Sequence, residues 1–118
     1  MVPTFIEYCG GTVKPHIVEG DSLLPLLRGE MSIDWRQAVF SEYDYSVFDT
    51  RLALNQPIRD CRLYMVFDGR WKYVHATGFR PLLFDLASDP RELRDLGADP
   101  AAAADSARMR EMLLNWAL

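Results

Sequence analysis

Residues 68–97 read DGRWKYVHATGFRPLLFDLASDPRELRDLG, and this stretch decides the fold. Its first two residues, Asp-Gly, separate two runs of alternating side chains at 61–67 and 71–76. Alternation with a period of two indicates β-strands. Asp-Gly favours a two-residue type I′ turn, because both central residues of that turn need positive φ. The pattern therefore predicts an antiparallel hairpin centred on Asp68-Gly69.

Further strands flank this hairpin. Gly78 permits a second reversal, and Pro81 can begin an edge strand at 82–86 without breaking an inner ladder. Upstream, residues 35–45 are rich in aromatic side chains and alternate loosely, which predicts another strand. We therefore expect a meander of about four antiparallel strands.

Two Asp-Pro pairs predict capped turns. In Asp89-Pro90-Arg91-Glu92 a carboxylate stands at the N-cap, proline at the first helical position and a glutamate at N3, where it can reach back. Asp99-Pro100 repeats the device and starts the last helix, in which four apolar residues recur at helical spacing: Met109, Met112, Leu113 and Trp116. This stripe could be a partner-binding groove, but core packing is favoured because the hairpin has an apolar face to cover.

The N-terminal part reads as a short helix followed by a loop. Pro3 suits the first turn of a helix with Phe5, Ile6 and Cys9 on one side, and Gly10-Gly11 ends it. The other expected segments are a surface crossing at 12–34 with a helical turn at 22–27, and an excursion at 46–60 with a helical turn at 50–54.

The expected fold class is α+β, with a four-stranded antiparallel sheet, a C-terminal helix packed on one face and a short N-terminal helix. We expect residues 1–34 to form a helix-and-loop lead and residues 35–118 to form a C-terminal α+β subdomain.

The composition excludes several classes of function. With 118 residues, a net charge of −4 and a pI near 5.1, the chain lacks the basic face that nucleic acid or an anionic membrane would require. No apolar run approaches the roughly 18 residues of a membrane span, and no secretory signal follows Met1. Cys9 and Cys61 are expected to be reduced, buried or half-buried thiols, which favours the cytoplasm.

Candidate catalytic groups are few. His16 and His75 are the two histidines, and each reads as a surface or packed side chain rather than a base. Glu42, Asp44 and Asp49 form the clearest spare acidic set, which reads more simply as a solvated face than as a metal site.

Two other patterns in the sequence bear on ligand binding. Gly10-Gly11 lacks the residues of a phosphate loop. Six aromatic residues could form a sugar or aryl platform, although strands favour aromatics in any case: Trp35, Tyr43, Tyr45, Tyr64, Trp71 and Tyr73.

The chain resembles the C-terminal segment of the sulfatase family in the alkaline phosphatase superfamily. The resemblance rests on Trp71-Lys72-Tyr73, Leu83-Phe84-Asp85-Leu86, Asp89-Pro90-Arg91-Glu92 and Asp95-Leu96. Upstream, Glu19–Gly29 (EGDSLLPLLRG) is similar to the family's Asp-Gly-x-Ser-Leu-x-Pro-Leu-Leu-x-Gly loop, and 3–11 is similar to the helix after its Asp-x-x-Pro-Thr motif. Residues 40–45 and 51–61 are most similar to the phosphonate monoester hydrolase and arylsulfatase-like branch.

This resemblance implies a parent hydrolase of sulfate or phosphonate esters. Its nucleophile would be a formylglycine made in a Cys/Ser-x-Pro-x-Arg motif, and its divalent metal would be held by a large N-terminal α/β domain. Cys9 precedes Gly-Gly and Cys61 precedes Arg-Leu, so neither matches that motif. We predict no catalytic, cofactor-binding or metal-binding residue in this chain. Met1-Val2 falls within the Asp-x-x-Pro-Thr motif, so we expect a truncation, a fragment or a misplaced start.

Three hypotheses follow. In the first, the chain is a non-catalytic C-terminal part that packs its sheet on the large domain, forms a wall near the active-site mouth or a subunit contact, and leaves an apolar face where that domain packs. In the second, it is a free-standing binding module or a module that forms a homo-oligomer. In the third, it is a small hydrolase that uses His75 with Glu42 or Asp44.

Overall fold

A computed structural model describes residues 1–30 and 35–117. The chain divides into two compact units, Met1–Arg36 and Gln37–Leu118, which are described separately. The end of the predicted crossing at 12–34 lies outside the described residues, and the predicted division between residues 34 and 35 stays a prediction.

The first unit contains two short helices, α1 at Val2–Tyr8 and α2 at Leu24–Leu27. The backbone N–H of Leu23 donates to Oγ1 of Thr4 at 2.9 Å, and this bond joins the two helices. The buried side of α1 consists of Pro3 and Thr4, whereas Phe5 is 60% exposed. The side predicted from Phe5, Ile6 and Cys9 is therefore not the buried one, because α1 packs through its first turn.

The second unit contains a four-stranded sheet in the order β1-β2-β3-β4, with every neighbouring pair antiparallel. The predicted meander, α+β class and terminal helix are confirmed. β1 begins four residues later than predicted. The elements are β1 Val39–Asp44, α3 Asp49–Ala53, a 3₁₀ turn Ile58–Asp60, β2 Arg62–Phe67, β3 Trp71–Ala76, β4 Leu82–Asp85, a 3₁₀ turn Pro100–Ala102 and α4 Ala103–Ala117.

The hairpin turn differs from the predicted one by one residue. Phe67 pairs with Lys72, which places Gly69 and Arg70 at the centre of the turn. Of these two residues only Gly69 has positive φ, at 95°. The predicted type I′ turn centred on Asp68-Gly69 is wrong, because Oδ1 of Asp68 accepts the N–H groups of Arg70 and Trp71 at 2.9 and 2.7 Å. Asp68 thus precedes the turn and closes it with its side chain.

The predicted capping box at Asp89 is also wrong. No helix begins at Pro90. Instead, Oδ2 of Asp89 accepts the N–H of Arg94 at 2.8 Å. Glu92 has φ 55° and its carboxylate lies 2.7 Å from Nζ of Lys72 on β3. The ion pair with β3 holds Glu92 away from the N-cap, so residues 86–98 form a loop fastened to the sheet.

The second Asp-Pro pair behaves as predicted. Oδ1 of Asp99 accepts the N–H of Ala101 at 2.9 Å, and Pro100 occupies the first helical turn. A 3₁₀ turn, Pro100–Ala102, leads directly into α4. None of the described helices is long and apolar enough to cross a membrane.

The core lies between α4 and one face of the sheet. Met109 is fully buried and Leu113 is 4% exposed. At the end of the stripe, Trp116 is 45% exposed but stacks on Phe40 of β1 with 4.8 Å between ring centroids. The stripe is therefore core, as predicted, and its sheet partners are Val66, Trp71, Tyr73 and Leu83.

The opposite face of the sheet, here called the outer face, is also apolar. Cross-strand partners share a face, so Leu63 lies beside Tyr43 and Val74 lies between Met65 and Leu82. These four strands therefore present apolar side chains to both sides. α4 covers only one of them.

We expect Met109→Ala to lower the free energy of unfolding by about 2–5 kcal/mol, because it opens a cavity between α4 and the sheet. The control Leu93→Ala, at a position that is 80% exposed, should change it by less than about 0.5 kcal/mol. Urea unfolding followed by tryptophan fluorescence measures both. Equal stabilities for the two variants would contradict the packing of α4.

Candidate functional site

The third hypothesis requires His75 to meet Glu42 or Asp44, and the structure keeps them apart. His75 pairs across the sheet with Tyr64, which pairs in turn with Glu42 on β1. Tyr64 therefore stands between His75 and Glu42, which are two strand spacings or about 10 Å apart. Glu42 instead lies 3.5 Å from Arg62, and Asp44 lies 4.0 Å from the same guanidinium. This arrangement gives His75 no carboxylate to orient it as a base.

The other candidate polar residues, Asp49 and His16, are dispersed. Asp49 lies exposed in the first turn of α3, and His16 is exposed in the first unit. Hydrogen bonds involving Ser46 lower the pKa of Asp44, whose Oδ1 accepts the N–H of Ser46 at 2.8 Å. Within residues 1–30 and 35–117, no three His, Cys, Asp or Glu side chains come together. The described residues therefore gather no ligand set for a divalent metal, which the family resemblance assigns to a large N-terminal domain.

Both cysteines are free thiols, as predicted. Cys61 is fully buried, its Sγ lies 3.3 Å from the carbonyl oxygen of Pro57, and burial raises the pKa of its thiol. Cys9 is exposed, so the prediction that it is at least half-buried is wrong. A buried thiol with a raised pKa is a poor nucleophile because the thiolate is the reactive form.

The six aromatic residues do not form one platform. Trp71 and Tyr73 are buried in the core under α4, and Tyr64 is packed against that core. Tyr43 and Tyr45 instead line a groove on the other side of the sheet. Trp35 belongs to the first unit. Packing therefore explains Trp71, Tyr73 and Tyr64. Of the two groove residues, Tyr45 is buried at 6% exposure and Tyr43 is 51% exposed.

A cluster of charges fastens the hairpin turn to β4. The guanidinium of Arg70 binds the buried carboxylate of Asp85 through two hydrogen bonds, at 3.0 and 2.9 Å. The same guanidinium lies 5.0 Å above the ring of Trp71. Such fork-to-fork pairs are stronger than neutral hydrogen bonds and have a defined geometry. These contacts position the end of the hairpin.

Asp68 extends this cluster to the helix. Its Oδ2 lies 2.7 Å from Nη2 of Arg108 on α4, while its Oδ1 accepts the two backbone bonds of the turn. Burial by itself would raise the pKa of Asp68, but the bonds from Trp71, Arg70 and Arg108 lower it overall. For Asp85, the hydrogen bonds from Arg70 lower the pKa to about 2. Both carboxylates are therefore held charged by the fold.

A groove crosses the outer face of the sheet. The outer groove has a volume of about 570 Å³. Tyr43, Phe48 and Phe79 are half in water there, at 51%, 49% and 45% exposure. Eleven residues line the groove: Tyr43, Tyr45, Phe48, Thr50, Leu54, Leu63, Val74, Ala76, Phe79, Arg80 and Leu82. Arg80 is the charged residue among them, and its guanidinium pairs with Asp95.

The fold has known counterparts. Residues 1–117 match the family described as N-sulphoglucosamine sulphohydrolase, C-terminal. The chain belongs to this family. It is 37% identical over 123 residues to the multifunctional alkaline phosphatase superfamily protein PehA of Trinickia caryophylli, and the match covers all of this chain and 23% of PehA.

Solved structures agree with the sequence match. The chain superimposes on the phosphonate monoester hydrolase SpPMH from Silicibacter pomeroyi with a TM-score of 0.82 and 33% identity, covering 96% of this chain and 23% of that one. The phosphonate monoester hydrolase of Agrobacterium radiobacter gives a TM-score of 0.78 and 34% identity over the same shares. The chain therefore spans about a quarter of the length of these relatives, as a C-terminal subdomain of this class.

Sequence reasoning missed the charge cluster. Asp68 was predicted as a turn residue and Asp85 as part of a strand, but their partners Arg70 and Arg108 were not predicted. A single carboxylate between Phe84 and Leu86 in an apolar strand was the available signal, because a buried charge needs a partner. No signal in the sequence indicated which arginine that partner would be.

We expect acid to destabilise the wild type between pH 3.8 and about 2, and to destabilise Asp85→Asn less, since the variant lacks the contribution of this one carboxylate. The pKa of Asp85 is lowered from an ordinary 3.8 to about 2 in the folded chain. The stabilisation that its charge provides is therefore fully present above pH 3.8 and is lost as the pH falls through about 2. Chemical denaturation at a series of pH values measures this slope.

Arg70→Gln should flatten the same part of the pH profile, since Arg70 is the main cause of the lowered pKa. Asp49→Asn, at an exposed position on α3, should keep the wild-type slope. A wild-type slope in Asp85→Asn would contradict the assigned role of the Arg70 pair.

Proposed function

We propose that this chain acts as the C-terminal subdomain of a metal-dependent hydrolase of sulfate or phosphonate esters, and that it supplies no catalytic group itself. One observation carries the proposal: the family match extends over residues 1–117, yet this length is about 23% of the matched relatives. In such an enzyme the nucleophile and the metal ligands belong to the remaining part of the protein.

The chain's own chemistry supports this division. The carboxylates at the strand ends are engaged in turns and ion pairs, as with Asp68 and Asp85. Cys61 is buried and His75 has Tyr64 as its cross-strand neighbour. The functional contribution of the chain is a preformed sheet with one helix-covered face. Its other face is available to a larger domain.

The substrate class and location belong to this proposal. Phosphonate monoesters and aryl sulfates are proposed as substrates of the whole enzyme, because two of the similar structures are phosphonate monoester hydrolases and one relative is named arylsulfatase K. A cytoplasmic location is proposed from the two free thiols, which persist in a reducing compartment.

We expect the isolated chain to hydrolyse neither an aryl sulfate nor a phosphonate monoester above background, with Mg²⁺, Mn²⁺, Zn²⁺ or Ca²⁺ added. The reason is that its described residues gather no metal site and place no base beside a nucleophile. Release of the chromogenic alcohol measures turnover, and PehA assayed in parallel is the positive control. Metal-dependent turnover that co-purifies with the chain and is lost in His75→Ala would contradict the proposal.

A further inference from the structure

The hydroxyl of Tyr73 has no hydrogen-bond partner among the residues that the structure describes. Tyr73 is 1% exposed, and its ring lies in the core under α4. A buried tyrosine usually finds a partner for its hydroxyl, because an unpaired polar group away from water is costly. The hydroxyl oxygen is not completely enclosed, so the remaining exposure of Tyr73 includes its polar end. The core therefore presents an unsatisfied hydroxyl to the space beyond this ring.

That space is a cavity of about 360 Å³ between α4 and residues 97–100, here called the α4 pocket. Next to α4, Gly97 lies so close to Pro81 that a Cβ on Gly97 would collide with the carbonyl oxygen of Pro81. The helix side of the pocket is one stripe of four residues, three of them small: Ala103, Ser106, Ala107 and Arg110. Because the small side chains do not fill the space, the pocket stays open, and its volume lies within the range of small-ligand sites.

The uncommitted polar groups of the pocket are hydrogen-bond donors. Within the described residues, neither the hydroxyl of Ser106 nor the guanidinium of Arg110 forms a hydrogen bond or an ion pair. Burial raises the pKa of Tyr73 and the charge of Arg110 opposes this shift, which indicates that guanidinium and hydroxyl lie near each other. One cation and two hydroxyls thus face the same small space without partners.

The carboxylate of the pocket, Asp99, limits the charge of a ligand. It accepts the N–H of Ala101 at 2.9 Å and lies 3.8 Å from the guanidinium of Arg94, so it is already engaged. Its negative charge disfavours a dianion, whereas the single cation of Arg110 is enough for a monoanion. The remaining walls are apolar and favour an apolar ligand body: Pro81, Ala98, Pro100, Ala103 and Ala107.

We propose that the α4 pocket binds the anion of a small carboxylic acid with an apolar body, whose carboxylate accepts hydrogen bonds from Arg110, Ser106 and Tyr73. Guanidinium and hydroxyl groups are suited to this task, because charge-assisted hydrogen bonds to a carboxylate are strong. The apolar body lies against Pro81 and Pro100. The site shares no lining residue with the outer groove, and it does not depend on the proposed function.

The test titrates the 118-residue chain with sodium benzoate at neutral pH and follows its backbone amides by NMR. Benzamide has the ring without the charge, and acetate has the charge without the ring, so they are the matched control ligands. We expect benzoate to shift the amides of Gly97, Ala98 and Ala107 in a saturable manner, with a Kd of about 1 mM. Benzamide and acetate should each bind about tenfold more weakly.

Substitutions separate the proposed donors from the packing of the core. Arg110→Gln should weaken benzoate about tenfold, because it removes the cation. Tyr73→Phe should weaken it about threefold or more, because it removes the hydroxyl and leaves the ring in the core. The control Arg59→Gln removes a guanidinium that is 86% exposed outside the pocket, and it should keep the wild-type affinity.

The absence of saturable shifts with benzoate would overturn the site. Equal affinity for benzamide would overturn the role of the carboxylate, and equal affinity for acetate would overturn the role of the apolar body. Wild-type affinity in both Arg110→Gln and Tyr73→Phe would overturn the assigned donors. Saturable shifts confined to Val74 and Phe79, which line the outer groove, would place benzoate there and also overturn the proposal.

Discussion

A four-stranded sheet that is apolar on both sides has to be covered twice, and the rest of this structure depends on that constraint. α4 supplies the first cover by burying Met109 and Leu113 against Val66 and Tyr73. The gain is the removal of apolar area from water, at roughly 25 cal/mol per Å². Nothing of equal size lies over the outer face within the described residues of this unit. The groove on that face leaves Tyr43, Phe48 and Phe79 about half exposed.

Ion pairs hold the edges of the sheet, where the apolar core ends. Arg70 joins the hairpin turn to Asp85, and Asp68 joins the same turn to α4 through Arg108. Exposed pairs contribute little, but Asp85 is 11% exposed at its side chain, and removing one partner of a buried pair leaves an uncompensated charge. These pairs therefore fix the start of β3 and the end of β4 relative to each other and to α4.

The residues that carry the family resemblance also have structural roles, in the core and in the ion pairs of the sheet. Trp71 and Tyr73 are core residues, and Lys72 between them faces outwards and binds Glu92 of the Asp-Pro-x-Glu motif. Asp95 ties the loop back to β4 through the N–H of Leu83. A signature that identifies a hydrolase can therefore consist entirely of scaffold, because positioning a large domain requires a defined sheet and loop as much as catalysis requires a nucleophile.

The sequence alone determined the meander, the fold class, the Asp99 cap and the buried stripe on α4, because period, turn residues and caps are local signals. It also predicts that the catalytic groups lie outside this chain, and this stays a prediction. Only the tertiary structure decided which face α4 covers, which arginines pair with Asp68 and Asp85, and why Glu92 leaves its predicted cap for Lys72. These contacts join residues that lie from 15 to 40 positions apart in the sequence. Contacts over such separations leave no local pattern in the sequence.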